Sequence, residues 1–198
     1  MGIRMAAAAD TADLLAIYGQ YIDTSVTFEY ELPSRAEFAA RMAGVLETYP
    51  YLVWEEDGHI LGYAYAHRHM ERAAYQWNTE LSVYLDRSAR RRGLGRRLYG
   101  ALMELLKGQG VLTAHALVTS PNPASQALHE AMGFSLLAVH HLAGFKAGAW
   151  HDVLWYEKEL AARGPDPVPP VPCCALPPEH VAAVLAAFSG SAESGGKR

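Results

Sequence analysis

The sequence has little cysteine and no long apolar run. Its 198 residues include two cysteines, Cys173 and Cys174, which are adjacent in a proline-rich segment and form neither a disulfide framework nor a metal-binding pair. Because no run of about 18 apolar residues occurs, we expect no membrane span. The alanine run after Arg4 is followed too soon by acidic residues for a signal peptide. These absences predict a cytoplasmic protein.

Positive charge is also scarce, except in one place. The net charge is −4, yet six of the 17 Lys and Arg residues lie between Arg87 and Arg97. A nucleic-acid-binding protein normally spreads its basic residues over a whole face, so this concentration indicates a local anion site instead. The length and the 51% content of apolar residues suit one globular domain.

The arginine-rich stretch joins a strand to a helix. Apolar residues alternate up to Leu85 as in a strand, and leucines recur at helical spacing from Leu94 onward. Gly93 and Gly95 allow backbone N–H groups to turn toward a bound oxygen, and the start of the helix adds partial positive charge. Full charges come from Arg91, Arg92, Arg96 and Arg97. The pattern predicts a pyrophosphate site.

Two common phosphate-binding motifs are excluded. Gly95 and Gly100 have the glycine spacing of a nucleoside-triphosphate loop, but Ala101-Leu102 replaces the required Lys-Ser/Thr pair. No third glycine follows Gly95 at the spacing that a dinucleotide-binding fingerprint requires. The remaining motif, Arg90 to Gly95, resembles the acetyl-CoA pyrophosphate loop of the GNAT N-acetyltransferase superfamily, and a solvated basic loop is the alternative interpretation.

Strand and helix patterns alternate along the chain. Helical spacing is seen from Thr11 to Ile22, after the capping box Ser34 to Glu37, and between Asn122-Pro123 and Gly133. Predicted strands are 51–54 and 60–66 around the Asp57-Gly58 turn, 79–85, 111–118, 134–142 and 153–160, with a loop over 143–152. The strand–helix–strand unit around the arginine loop favours a parallel strand pair.

The C-terminal part differs in composition. Prolines recur from Gly164 to Pro178, which predicts a linker outside the core. One short amphipathic helix is indicated by Val181, Val184, Leu185 and Phe188, and the last residues, Ser189 to Arg198, have the composition of a disordered segment. The predicted division is a domain at 1–162 and a Pro-rich extension at 163–198.

The resemblance extends over roughly residues 3 to 160 and narrows to the phosphinothricin and methionine sulfoximine acetyltransferase branch. It is carried by Thr27-Phe28-Glu29, Gly62 to Ala66, Ala74 to Trp77, Glu80 to Leu85, Pro121-Asn122-Pro123, Leu128-His129-Glu130, Gly133-Phe134, Gly144-Phe145-Lys146 and Trp150-His151-Asp152. The resemblance implies a mixed α/β GNAT fold, in which helices flank a bent central mixed sheet. It further implies acetyl-CoA in a cleft between two splayed parallel strands, a homodimer, and transfer to the amine of a small amino acid.

Cofactor contacts follow from the same resemblance. The strand backbone would hold the pantetheine arm, and the loop would hold the pyrophosphate. The cofactor-binding residues implied are Val83, Tyr84, Leu85, Arg91, Arg92, Gly93, Leu94, Gly95, Arg96 and Asn122. Asn78-Thr79 departs from the pair that usually precedes the glutamate in this family, which leaves the choice of acceptor open.

Amine acetylation needs a proton acceptor, because only a deprotonated amine attacks a thioester. Glu80 is the candidate base, with a structural carboxylate as the alternative. His129 either protonates the leaving thiolate or packs in the helix. Gly133 stands where a second zinc-binding histidine would be, so no metal is expected.

Candidate acceptor contacts surround these residues in the sequence. Arg72 and Tyr75 suit a carboxylate or phosphinate, or form an exposed loop. Phe28, Tyr30 and Trp77 either wall the pocket or belong to the core. By resemblance alone, Lys146, Trp150 and His151 come from the second protomer.

The sequence thus predicts an acetyl-CoA-dependent N-acetyltransferase acting on phosphinothricin, methionine sulfoximine or sulfone, or a related small amine. The alternatives are a peptide N-acetyltransferase and a non-catalytic module that senses CoA or binds nucleic acid. Neither nucleic acid nor a membrane is expected as a partner.

Overall fold

A computed structural model describes residues 1–190. The seven strands are β1 (Gly2–Met5), β2 (Tyr51–Glu56), β3 (His59–Arg68), β4 (Asn78–Leu85), β5 (Thr113–Ser120), β6 (Ser135–Lys146) and β7 (Ala149–Glu159). The five helices are α1 (Thr11–Gly19), α2 (Arg35–Leu46), α3 (Leu94–Gln109), α4 (Pro123–Ala131) and α5 (Pro178–Ser189). The disorder expected for residues 189–198 falls mostly on residues 191–198, which lie outside the described residues. Within residues 1–190, no helix is long and apolar enough to cross a membrane.

Local signals set the starts of α2 and α4 where the sequence predicts them, whereas α1 ends at Gly19, before the predicted Ile22. The Ser34 hydroxyl accepts a hydrogen bond from the Glu37 N–H, and the Glu37 carboxylate accepts one from the Ser34 N–H, which is the reciprocal capping box. Asn122 caps α4 by accepting from the Ser125 N–H at 3.2 Å. These caps satisfy backbone N–H groups that the first helical turn leaves unpaired.

One mixed sheet contains all seven strands in the order β1-β2-β3-β4-β5-β7-β6. Its neighbours are antiparallel except β4 and β5, which run parallel and pair only over Asn78–Glu80 and Thr113–His115. Beyond Glu80, β4 keeps β3 on one edge and separates from β5 on the other. The predicted parallel pair is confirmed, and its separation opens a cleft at the strand ends.

The predicted loop over 143–152 is wrong. β6 and β7 form a long hairpin whose turn lies at Ala147 and Gly148, both with positive φ. Gly144 therefore lies inside a strand, where it leaves room for the Phe28 ring; a Cβ at this position would overlap that ring. A glycine is needed here because a distant segment approaches the strand closely, and sequence spacing cannot distinguish such a glycine from one in a turn.

The sheet separates two apolar clusters. On one face, α3 packs against Leu81, Val83 and residues of β2, β3 and β5. On the other face, α1 and α2 cover a row of tyrosines that includes Tyr63 and Tyr84. Since side chains alternate across a strand, β4 sends Leu81, Val83 and Leu85 toward α3, and Glu80, Ser82 and Tyr84 toward the α1/α2 face.

The proline-rich segment does not lie outside the core, so that expectation is wrong. Cys173 and Leu176 are buried in the α3 cluster, and the Val171 N–H donates to the Gln109 carbonyl at 2.9 Å. The predicted amphipathic helix is present as α5, and its Val181, Val184, Leu185 and Phe188 pack on the same cluster. Glycines on α3 leave room for the extension to approach the helix closely. Composition alone does not reveal this fit between the two surfaces.

Candidate active site

The arginine loop places two left-handed residues just before α3. Arg91 has φ of 63° and Gly93 has φ of 79°, and the Arg97 N–H is bonded to the Gly93 carbonyl at 3.2 Å. The first N–H groups of α3 precede this bond, and such groups have no intrahelical partner. A positive φ is rare for arginine, and alternating backbone handedness forms concave anion-binding nests. The loop therefore fits a pyrophosphate.

The arginines around this loop have different surroundings. Arg92 pairs with Glu56 at 2.6 Å, and Arg96 donates to the Ala131 carbonyl at the end of α4 at 3.3 Å. Arg97 lies over the Trp54 ring, 5.5 Å from its centroid. Arg91, Arg92 and Arg96 are exposed, and Arg97 is half-buried. The three exposed side chains are accessible to a bound polyanion.

The cleft brings the loop, β4 and α4 together. A Cβ at Gly95 would lie 3.5 Å from the Leu128 side chain, 3.6 Å from Leu85 and 4.0 Å from Val83. Leu94 is buried beside Gly95 in the first turn of α3, and Asn122 opens the facing helix. The start of α3 thus packs against Val83 and Leu85 of β4 and Leu128 of α4. The ring of Tyr84 lies on the opposite face of the sheet, where it stacks against Tyr63 at 5.4 Å.

Glu80 lies at the last paired position of the parallel strands, beside His115 in the register. Its side chain is 20% exposed, and its two oxygens lie 3.7 Å from His67 Nε2 and 3.8 Å from His69 Nδ1. The carboxyl group is accessible at the mouth of the cleft, as a base must be.

His129 is buried, with 2% of its surface exposed. Its Nδ1 lies 2.8 Å from the Ser125 carbonyl oxygen and therefore carries a proton, while Nε2 lies 3.4 Å from the Tyr99 hydroxyl. The ring stacks on Tyr156 at 5.6 Å and meets Phe134 edge-on at 5.2 Å. Burial lowers the pKa of His129, so the neutral form is favoured.

The loop after α1 is held by the β6–β7 hairpin of the same chain. Lys146 is 5% exposed, and its ammonium donates to the carbonyls of Thr27 at 2.5 Å and Glu29 at 2.6 Å. Tyr30 donates to the Phe145 carbonyl at 2.6 Å. Burial lowers the pKa of Lys146. Lys146 thus contacts its own protomer, whereas the resemblance implies a contribution from the second one.

Other predicted acceptor residues lie further apart. The Phe28 ring is 6.4 Å from that of His151, on the side of the hairpin. Trp150 is 59% exposed, and Arg72 and Tyr75 are exposed at a short turn. Trp77 donates its indole N–H to the Val168 carbonyl of the extension at 2.8 Å, so this contact ties it to the C-terminal segment.

A small aromatic cavity lies on the Glu80 face of the sheet. Its volume is about 120 Å³, and its lining consists of Tyr18, Glu29, Phe38, Arg41, Met42, Val45, Tyr51, Tyr63 and Tyr65. Arg41 and Glu29 form an ion pair of 2.5 Å at this cavity. The cavity begins two residues along the register from the His67–Glu80 pair, because Tyr65 pairs with Ser82.

Sequence reasoning missed the histidines around Glu80. His67 and His69 alternate at the end of β3, and His115 comes from β5. The alternation of His67 and His69 is a visible signal, but their meeting with His115 depends on the sheet order. In residues 1–190, no group of three or more His, Cys, Asp or Glu residues could hold a metal ion.

Comparison with known proteins identifies the class. The acetyltransferase (GNAT) domain family matches residues 3–155, and the chain belongs to this family. It is an acetyltransferase with the GNAT fold.

Individual relatives narrow the class. The chain is 37% identical over 171 residues to a phosphinothricin N-acetyltransferase of Streptomyces viridochromogenes, covering 85% of this chain and 93% of the relative. It is 32% identical to an L-methionine sulfoximine/L-methionine sulfone acetyltransferase of Pseudomonas aeruginosa, over 80% of this chain and 94% of the relative. Among solved structures, a phosphinothricin acetyltransferase from Sinorhizobium meliloti in complex with AcCoA matches with a TM-score of 0.82 and 34% identity, over 88% of this chain and 96% of that one.

Proposed function

We propose that the protein transfers the acetyl group of acetyl-CoA to the primary amine of a small amino-acid-like acceptor, such as phosphinothricin, methionine sulfoximine or methionine sulfone. The observation that carries this proposal is the separation of β4 from β5 after Glu80, beside the left-handed loop at the start of α3. The names of the relatives supply the acceptor class.

Different residues of the cleft would bind different parts of acetyl-CoA. The N–H groups at the start of α3, with Arg91 and Arg96, would bind the pyrophosphate, since helix N-termini and guanidinium groups both favour phosphate oxygens. The backbone of Val83 to Leu85 lies on the strand edge that β5 leaves unpaired. A pantetheine arm, which carries amide groups, would complete the hydrogen bonding there.

Glu80 is proposed as the base. It takes a proton from the acceptor ammonium, directly or through one water, and the free amine then attacks the thioester carbon. The C–S bond breaks as the C–N bond forms, and the leaving CoA thiolate takes up, directly or through water, the second proton that the attacking nitrogen releases. General bases contribute about 10²–10⁴-fold to such reactions.

For His129 we favour the packing role over that of the acid. Three aromatic side chains surround its ring, and burial lowers its pKa, which disfavours the protonated form that an acid needs. A thiol with a pKa near 8.5 also leaves without much assistance at neutral pH.

A small acceptor agrees with the acceptor side of the cleft. Lys146 and Tyr30 fix the loop that carries Phe28 and Glu29, and Glu29 lines the small aromatic cavity of about 120 Å³. A peptide acceptor would need an open groove instead.

We also propose a cytoplasmic homodimer. β6 is an edge strand of the sheet, and it exposes Leu136, Leu137 and Leu142 by 52%, 53% and 61%. Exposed apolar side chains on an unpaired edge favour pairing with a second copy. Light scattering after gel filtration would measure the mass.

An acceptor panel tests the proposed activity. Release of CoA thiol is followed with phosphinothricin, methionine sulfoximine, methionine sulfone, ordinary amino acids and short peptides. We expect turnover with the small acceptors and an acetylated product of the corresponding mass. Turnover with peptides alone would replace the proposal by peptide acetylation, and acetyl-CoA binding without any turnover would favour a sensor.

A further inference from the structure

Glu80 is flanked by one histidine at each carboxylate oxygen. His67 Nε2 lies 3.7 Å from Oε1, and His69 Nδ1 lies 3.8 Å from Oε2. His67 is directly opposite Glu80 in the β3–β4 register, whereas His69 follows the end of β3. Both contacts are slightly longer than a hydrogen bond, so a small movement of the carboxylate would close either one.

The two histidines differ in how firmly they are held. The His67 side chain is 38% exposed, and that of His69 is 8% exposed. The His69 ring stacks on His115 with centroids 4.0 Å apart and an interplanar angle of 11°. Trp155 meets His69 edge-on at 5.5 Å. His69 is thus enclosed by rings from β5 and β7, while His67 faces water.

His115 is itself fixed. Its Nε2 lies 3.3 Å from Asn78 Oδ1, and the residue is 7% exposed. Within the described residues, His69 Nδ1 and His115 Nδ1 are buried without a hydrogen-bond partner. An unpaired buried nitrogen is costly and needs an explanation, and the Glu80 carboxylate lies 3.8 Å from His69 Nδ1.

We propose that His69 is a positioning residue that orients the Glu80 carboxylate by donating from Nδ1 to Oε2, and that His115 holds the His69 ring in place by stacking. This inference rests on the proposed role of Glu80 as the base. His69 acts through Glu80 and touches neither substrate.

The charge state of the pair suits this role. The titratable and charged groups facing the stacked rings are His67, Glu80 and, beside His115, Arg163. Burial lowers the pKa of His69, and burial together with His69 and Arg163 lowers that of His115 to about 4. A neutral His69 orients Glu80 by a hydrogen bond without the full positive charge that would make the carboxylate a weaker base.

Substitution of His69 separates the role of its nitrogen from that of its ring. His69→Phe keeps a flat ring against His115 and removes the donor, so kcat should fall by about ten- to hundredfold, the usual effect of a misplaced catalytic group, with KM for acetyl-CoA unchanged. His69→Asn places an amide nitrogen near the Nδ1 position and should recover part of the loss. His59→Asn, on an exposed histidine of β3, is the matched control.

Substitution of His115 tests the stacking. His115→Ala should lower kcat in the same direction, and His115→Phe, which preserves the stack, should recover most of that loss. If His69→Phe retains the wild-type kcat, or if His69→Asn is no better than His69→Phe, the positioning role is wrong. Thermal denaturation of each variant verifies that it is folded.

The NMR shifts of the His69 ring nitrogens test the contact without any substrate. Because the proposed bond donates from Nδ1, that nitrogen should carry the proton in the wild type, and its shift should change in Glu80→Ala. A proton on Nε2 alone, or an Nδ1 shift that is the same in Glu80→Ala, would overturn the inference even if the enzyme transferred no acetyl group. A protonated Nδ1 that responds to Glu80→Ala in an enzyme without turnover would instead refute only the proposed function.

Discussion

Replacing the loop arginines should weaken acetyl-CoA binding selectively, and the structure divides the effect between them. Arg91 is exposed beside the start of α3, so Arg91→Ala removes a charge that has no other evident task in the described residues. A hydrogen bond to a charged group contributes about 1.5–3 kcal/mol, which corresponds to about 12- to 150-fold in affinity. Arg92 pairs with Glu56 at 2.6 Å, so Arg92→Ala also leaves a carboxylate near the phosphates.

Calorimetric titration with acetyl-CoA measures this effect. Arg91→Gly is the informative companion, since glycine adopts the positive φ without strain and so isolates the loss of charge. Both Arg91 variants should bind about equally weakly, with a smaller dependence of Kd on salt than the wild type. Arg35→Ala, on the exposed start of α2, should bind normally. Wild-type affinity in the Arg91/Arg92 double alanine variant would refute the assignment of the loop.

Three further predictions concern packing, the acceptor loop and the buried histidine. Gly100→Ala should lower Tm by about 2–12 °C, because a Cβ there overlaps the Phe188 ring and overpacking costs about 1–3 kcal/mol. Phe188→Ala should lower the free energy of unfolding less in the Gly100→Ala background than in the wild type, and a double-mutant cycle measures this difference. Lys146→Met should raise KM for the acceptor by about tenfold or more and leave KM for acetyl-CoA unchanged, because two charged hydrogen bonds to the loop are lost. Steady-state kinetics measure both constants, with Lys107→Met as the control. An equal rise in KM for both substrates would contradict this prediction. Burial lowers the pKa of His129, so below pH ~6.5 the unfolded chain binds its proton more readily and stability is lost as pH falls. His129→Asn should lose less stability between pH 7 and pH 5 in urea titrations and should retain acetyl transfer, and a large loss of kcat would restore the acid role.

Features written in a short stretch of sequence were predictable. The capping box at Ser34, the Asn122-Pro123 helix start and the Gly93–Gly95 loop each depend on neighbouring residues. The parallel pair followed from the connection between its strands, and the cleft follows from that pair.

Features that depend on distant segments were not predictable. Gly144 reads as a turn residue until the Phe28 ring is seen above it. The composition of the extension indicates a linker, and only the structure shows that its helix packs on the glycines of α3. The surroundings of Glu80 cannot be predicted without the sheet order that brings His69 to His115.

The central claim is that Glu80 removes the proton from the acceptor amine, and the pH dependence of Glu80→Gln tests it most directly. Turnover at neutral pH should fall by about 10²–10⁴-fold while acetyl-CoA affinity changes little. Above pH ~8 the amine increasingly loses its proton to bulk solvent, so the deficit of the variant should shrink steadily as pH rises. Parallel pH–rate curves for the wild type and Glu80→Gln would contradict the account, because a carboxylate with a purely structural role is not bypassed by deprotonating the amine.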